Sequence, residues 1–328
     1  MDDVNRIEQA VVTGVAGFIG SHLAEALVEQ GSQVLGIDRR HPSHDPIAAE
    51  NLAGLLGHPR FTFINENLTE LNLPSVAEGA GVVFHLAGVP GVRPSWGERF
   101  RDYLTSNVAV TQQVLEACIA VGVPRLVLAS SSSVYGGNID RASREEDLPV
   151  PLSPYGVTKL AAERLSLAYA IKPGTPTSVV ALRYFTVYGP RQRPDMAIRR
   201  VLEAAITRRP MHLFGDGSQR RDFTYVDDAV AATIAAAFAP TRAEVVNVGG
   251  GRTFSMLHVL ECAAEITGLD VPVVHEARQP GDVEATEADL TKARELLGYE
   301  PATPLVEGMS QQWKWLLSRP SHPVAALA

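Results

Sequence analysis

Hydrophobic positions in the first half of the chain fall in short continuous runs rather than in alternation. Gln9–Thr13 (QAVVT), Ser32–Asp38 (SQVLGID), Arg60–Asn65 (RFTFIN), Gly81–Gly88 (GVVFHLAG), Arg125–Ser131 (RLVLASS) and Thr177–Phe185 (TSVVALRYF) are rich in apolar and β-branched residues. A strand that is apolar on both faces is buried on both faces, as in a parallel sheet covered by helices. Segments with helical periodicity lie between them: Ile19–Gln30, closed by Gly31, then Phe100–Val121 and Tyr155–Ala170. This alternation predicts an α/β fold with a doubly wound parallel sheet, Rossmann-like, and ligands at the carboxyl ends of the strands.

The rhythm changes after Gly189, where Pro, Arg and Gly become frequent and the apolar runs shorten. Helices are expected at about Asp195–Arg209 and Ala288–Leu297, and Ala243–Gly250 (AEVVNVGG) reads as a core strand returning to the sheet. The expected organisation is two lobes: residues 1–185 with about 222–250, and a smaller interleaved α/β lobe from 186–221 and 251–328.

Composition narrows the partners. A chain of 328 residues, 45% hydrophobic, can bury a large core, and its net charge of -8 argues against a nucleic-acid binder. No apolar run reaches the roughly 20 residues of a membrane span, and the opening MDDVNRIEQ lacks a signal-peptide pattern. Cys118 and Cys262 lie far apart in helical apolar patterns, so two buried thiols are expected rather than a disulfide or a metal site. A soluble protein of a reducing compartment, the cytoplasm, follows.

Thr13–Gly20 (TGVAGFIG) follows the first strand and opens the first helix, where a dinucleotide pyrophosphate rests on helix N–H groups. Gly14 suits the tight turn, Gly17 the close approach of a pyrophosphate, and Gly20 close packing of helix on strand. Asp38 ends the second strand, where a carboxylate can accept both ribose hydroxyls of an adenosine and repel a 2′-phosphate. NAD is therefore favoured over NADP, although Arg39 and Arg40 beside it could pair with such a phosphate.

Tyr155 and Lys159 in SPYGVTKLAAE are four apart at a helix start and share one face. A tyrosine ionises near pH ~10, and a nearby ammonium lowers that value toward the working range of a proton acceptor. Y-x-x-x-K alone is a weak pattern. It gains weight from ASSSSVYG (Ala129–Gly136), which puts hydroxyls at the carboxyl end of a buried strand. A turn rich in side-chain-to-backbone hydrogen bonds is the alternative for those serines.

TGVAGFIG, Asp38, HLAG, SNVAVTQQVLEA, the serine strand, YGVTK, RYFTVYGP and RDFTYVDD together resemble the extended short-chain dehydrogenases/reductases, in their NAD-dependent sugar-nucleotide epimerase/dehydratase group. The resemblance covers nearly the whole chain. It implies Tyr155 as acid/base, Lys159 as nicotinamide-ribose ligand and tuning cation, Ser131 as the catalytic hydroxyl, and Asn107 as support for the site. It also implies a cofactor site lined by Phe18, Ile19, Leu68, Leu86, Ala87 and Gly88. Asn67 stands where an aspartate usually contacts adenine. Gly88 and Val110 depart from a usual alanine and glycine, and neither is expected to touch the chemistry. Pairing of Phe100–Val121 with Tyr155–Ala170 into a homodimeric four-helix bundle rests on the resemblance alone.

Within that group, dehydratases carry an Asp-Glu pair after the catalytic hydroxyl, and UDP-glucuronate decarboxylases a glutamate at the position of Ser133; Ser132 and Ser133 stand there instead. The resemblance then implies 4-epimerisation of a UDP-sugar. The C4 hydride is lent to NAD and returned to the opposite face of a transient 4-keto sugar. RYFTVYGPRQRPDMA (Arg183–Ala197) is most similar to the UDP-glucuronate 4-epimerase form, with Thr186 where galactose epimerases usually have Asn. Arg193 is a candidate bidentate partner for the sugar carboxylate, with Ser132, Ser133 and Thr186 as further donors; a solvated arginine is the alternative. Arg221 and Arg278 match diphosphate-binding positions, and Arg93 could reach the sugar nucleotide or the site wall; surface ion pairs remain open for all three. His85 reads as a buried strand histidine beside the cofactor and His22 as structural. The alternatives are a UDP-glucose/UDP-galactose 4-epimerase, a UDP-glucuronate decarboxylase, and a non-catalytic NAD-binding regulator.

Overall fold

The computed structural model describes residues 6–137, 141–277 and 283–319. The six apolar runs form strands β1 (Gln9–Thr13), β2 (Gln33–Ile37), β3 (Phe61–Ile64), β4 (Val82–His85), β5 (Arg125–Ser131) and β6 (Ser178–Tyr184). Four further strands of the second half follow as β7 (Thr186–Tyr188), β8 (Met211–Phe214), β9 (Arg220–Tyr225) and β10 (Ala243–Val248). The large sheet has the order β10-β6-β5-β4-β1-β2-β3, and every pairing in it is parallel. Chain direction across the sheet reverses between β1 and β4, so their carboxyl ends open the crevice where a doubly wound sheet takes its ligand.

Successive residues of one strand feed two separate cores. Val12, Phe84 and Val127 belong to one cluster, while Val11, Val83, Leu126 and Leu128 belong to the other. That is the two-residue period of a strand with both faces covered. Cys118 and Cys262 are free thiols, one in each cluster.

The first helix, α1 (Phe18–Glu29), packs against a helix of the second half, Val226–Ala236. The expected Phe100–Val121 helix is continuous in direction but not in hydrogen bonding. A π-helical turn, Leu104–Ala109, interrupts it and carries Asn107. Such a turn adds a residue to the register and re-aims what it bears. The helix that holds Tyr155 and Lys159 spans Pro154–Ile171, with Ser153 accepting from the Gly156 N–H and Pro154 at its first turn.

Outside the large sheet, β9 pairs with β7, with β11 (Thr253–Ser255) and with β13 (Ala285–Thr286), while β8 pairs with β12 (Val273–Glu276). Helices occur at Ala197–Thr207 and Thr291–Leu297, close to where periodicity placed them, and also at Met256–Thr267 and Leu305–Ser318. No helix among the described residues is long and apolar enough to cross a membrane.

Candidate active site

One cleft of about 1150 Å³ runs over the carboxyl ends of β1, β2, β4, β5 and β6 and is also lined by residues of β8 and β9 and of the segment from Arg191 to Ala197. At one end lies the glycine loop. Gly14 has φ +73°, and a Cβ there would sit 2.8 Å from the Ala87 nitrogen; one on Gly17 would sit 2.9 Å from the Gly14 carbonyl oxygen. The Cβ of any other residue at Gly20 would collide with that same oxygen. Gly17 caps α1 with backbone alone, so no side chain occupies the first N–H groups, and Gly17, Phe18, Ile19 and Gly20 all face the cleft. An uncapped helix N-terminus in a glycine cradle is a fitting seat for a pyrophosphate.

Asp38 lies beside it, buried. Its Oδ2 accepts from the Ala16 N–H at 3.1 Å, and its carboxylate takes Arg40 Nε and Nη2, both at 3.2 Å. Arg40 is thus committed to Asp38, while Arg39 is exposed at the cleft edge. Asn67, Leu68, Leu86, Ala87 and Gly88 continue the wall. These groups fit an NAD molecule.

At the centre, Ser131, Tyr155 and Lys159 converge from β5 and from helix Pro154–Ile171. Ser131 Oγ accepts from the Ser133 N–H at 3.2 Å, and Ser131 faces the cleft together with Tyr155. The side-chain-to-backbone turn is thus observed at this residue, beside Tyr155. Ser130 takes a different course and donates to buried Glu163 at 2.9 Å. Burial pushes the Tyr155 phenol above its ordinary value, against the lowering pull of Ser131 and the Arg193 guanidinium. Lys159 donates to the Ala129 carbonyl at 2.8 Å, and burial lowers it to about 8. At neutral pH it is still mostly an ammonium.

Asn107 ties this centre together. Its Oδ1 accepts from the Val89 N–H at 2.7 Å, and its Nδ2 donates to the Val89 carbonyl and to Thr158 Oγ1, each at 3.1 Å. It thereby joins the loop after β4 to the helix of Tyr155 and Lys159. Gly88, expected in the cofactor site, lines the cleft beside Asn107. A Cβ on Gly88 would stand 2.8 Å from Asn107 Oδ1 and 3.5 Å from Lys159 Nζ. An alanine there would make the Asn107 side chain give way.

His85 is a strand histidine as expected, with Nδ1 2.8 Å from Thr13 Oγ1 and Nε2 3.1 Å from Thr111 Oγ1. Burial, aided by Lys159, lowers it to about 3. His22 is bound at 2.9 Å to the Pro190 carbonyl, and burial with Arg191 lowers it to about 3.

Ser132, Ser133, Thr186, Arg193, Arg221 and Arg93 all line the cleft. Arg193 is in a bidentate ion pair with Asp195, at 2.9 and 2.8 Å. Arg93 lies with its guanidinium carbon 3.9 Å from the centroid of the Phe214 ring at the end of β8. Arg221 donates to the Arg220 carbonyl. Arg278 lies outside the described residues. Sequence reasoning offered Arg40 to a 2′-phosphate rather than to Asp38, and it did not pick out Asp195 or Tyr103, whose ring meets that of Tyr155 edge-on at 6.2 Å. Adjacency to Arg193 was the available signal for Asp195; nothing in the sequence marked Tyr103.

Comparison with known proteins agrees with this geometry. Residues 10–249 match the model of the NAD dependent epimerase/dehydratase family. The chain is 44% identical over 311 residues to a UDP-glucose epimerase, YtcB, of Bacillus subtilis, uncharacterized by its name, covering 94% of this chain and 98% of that one. It is 38% identical over 310 residues to a UDP-glucuronate 4-epimerase of Thermodesulfobacterium geofontis, covering 93% and 95%. The solved UDP-glucuronic acid 4-epimerase of Bacillus cereus, in complex with UDP-glucuronic acid and NAD, superposes with a TM-score of 0.89 at 41% identity, covering 94% of this chain and 99% of that one. With the glycine cradle, Asp38 and the Ser131–Tyr155–Lys159 centre in one cleft, the chain belongs to the NAD dependent epimerase/dehydratase family.

Proposed function

We propose that the protein is an NAD-dependent 4-epimerase that interconverts UDP-glucuronate and UDP-galacturonate. The observation that carries the reading is the meeting of Tyr155, Ser131 and Lys159 in a cleft whose sugar side holds Ser132, Ser133, Thr186 and Arg193 and no acid–base pair after Ser131.

Gly14, Gly17, Phe18, Ile19, Gly20, Asp38, Asn67, Leu68, Leu86, Ala87 and Gly88 hold the cofactor. NAD, when bound, supplies a hydride acceptor that also serves as donor. Tyr155 takes the proton of the sugar 4-hydroxyl and later returns one to the same oxygen, with Ser131 sharing its hydrogen bond. The Lys159 ammonium, with its pKa near 8, favours the phenolate that burial alone opposes. Arg193 holds the C5 carboxylate, with Ser132, Ser133 and Thr186 donating to it. Fixing that carboxylate matters because a 4-keto uronate is a β-keto acid, which loses CO₂ when the breaking bond aligns with the keto π system. Arg221 and Arg278 bind the diphosphate, and Arg93 the sugar nucleotide or the wall beside it. The NAD-binding part comprises residues 1–185 with about 222–250, the sugar-nucleotide part 186–221 and 251–328, in a cytoplasmic homodimer.

The likeness to a protein named as a UDP-glucose epimerase keeps UDP-glucose as the second reading. Product NMR after separate incubation with UDP-glucuronate and UDP-glucose tests both. UDP-galacturonate is the expected product, lost at least about 100-fold in Tyr155→Phe. Preferred turnover of UDP-glucose overturns the uronate assignment, and CO₂ with a pentose product makes the enzyme a decarboxylase.

A further inference from the structure

The guanidinium assigned to the sugar carboxylate already holds a carboxylate of its own chain. Arg193, Pro194, Asp195 and Met196 form a tight turn closed by the Met196 N–H donating to the Arg193 carbonyl at 3.1 Å. Proline in its second position presets the bend. The turn sets Asp195 across from Arg193, Nε to Oδ1 at 2.9 Å and Nη2 to Oδ2 at 2.8 Å, and both side chains face the cleft. This is the fork-to-fork geometry with which arginine takes any carboxylate.

The backbone that presents Arg193 is anchored from its other side. Arg191 has a left-handed backbone, φ 65°, and its guanidinium grips Glu25 on α1 and the Asn51 carbonyl. Gln192 is fully buried, donates to the Val187 carbonyl and accepts from the Arg199 N–H and from Gln312. The two preceding residues thus stay in place while the Arg193 and Asp195 side chains, 36% and 64% exposed, can part into solvent. An exposed pair of this kind is weak, shifting an equilibrium by up to about fivefold. It can exchange partners; the fully buried pair of Arg183 and Glu163 cannot.

We propose that Asp195 is a specificity-determining residue that occupies Arg193 as an internal stand-in for the uronate carboxylate. This rests on the reading of Arg193 given above. An incoming uronate displaces Asp195, which swings into solvent, and Arg193 changes partner without ever being an unpaired cation in the cleft. A neutral hexose offers no replacement and leaves the pair closed. The competition trims affinity for the uronate and keeps the free site from holding other small carboxylates tightly.

Calorimetric titration of the NAD-loaded protein with UDP-glucuronate and with UDP-glucose at low ionic strength tests this without requiring turnover. Asp195→Asn and Asp195→Ala should lower the Kd for UDP-glucuronate about two- to fivefold relative to that for UDP-glucose. The gain should vanish in an Arg193→Met background, because a competitor has no effect once its target is gone. An unchanged or weaker affinity in both Asp195 variants overturns the proposal, as does a gain that persists in the Arg193→Met background. If Arg193→Met itself leaves UDP-glucuronate affinity unchanged, the carboxylate role of Arg193 falls, and this inference falls with it.

Discussion

Glu163 and Arg183 form a buried ion pair directly beneath the reaction centre. Glu163 sits one turn beyond Lys159 on the same helix, and Arg183 lies in β6 beside the serine end of β5. Neither side chain is exposed; Oε1 meets Arg183 Nη2 at 2.7 Å, and Oε2 takes Arg183 Nε and the Ser130 hydroxyl, each at 2.9 Å. In Glu163→Ala, Arg183 would keep only the Tyr135 hydroxyl and the Glu145 carbonyl, with no counter-charge and no access to water. Breaking one side of such a pair costs about 3–5 kcal/mol, a large part of a total stability of about 5–15 kcal/mol. With a urea m-value of about 3 kcal/mol per M, the unfolding midpoint should drop by about 1–1.7 M. Replacing both residues, as Glu163→Met with Arg183→Met, removes both buried charges together. The double variant should therefore be more stable than the sum of the single losses predicts by at least about 2 kcal/mol. Urea unfolding of the wild type, both single variants and the double variant, followed by tryptophan fluorescence and circular dichroism, reads this directly. A loss below about 1 kcal/mol in Glu163→Ala, or strict additivity in the double, would refute the argument that charge burial dominates here.

Burial holds His85 and His22 near a pKa of 3, helped by Lys159 and Arg191 respectively, below their ordinary value near 6.5. The folded state thus resists protonation that the unfolded chain accepts. Stability is fully present above pH 6.5 and is lost on acidification from there toward pH 3, by up to about 1.4 kcal/mol per pH unit for each histidine. Urea midpoints at pH 7 and pH 5 should differ less in His85→Gln than in the wild type; an equal difference would exclude His85 as a source. Asp38→Ala removes the carboxylate placed for the adenosine ribose and releases Arg40, so NAD affinity should fall at least about tenfold while NADP affinity rises, each read by fluorescence titration. No change in the ratio of the two affinities would show that Asp38 does not set the preference.

Much of this architecture was legible because its causes are local. Strands apolar on both faces could only be buried in a parallel sheet, and the six runs became six of its seven strands. The glycine loop, Asp38 and the Tyr155–Lys159 spacing are each short-range patterns whose meaning depends on a strand end or on one helix face. The π-helical turn at Leu104–Ala109 was not legible, since an inserted residue leaves the apolar periodicity almost intact while it re-aims Asn107.

By itself, then, the sequence determined the sheet, the glycine loop after its first strand and the resemblance that named the family. Tertiary structure alone decided which charges from distant segments meet. It sealed Glu163 against Arg183, closed Arg191 on Glu25 and set Gly88 against Asn107. The physical reason is that periodicity reports burial, which a residue carries in its own side chain. Contacts such as these need atoms from segments far apart in the chain set at about 3 Å to within a few tenths of an ångström, a placement that exists only once the chain has folded.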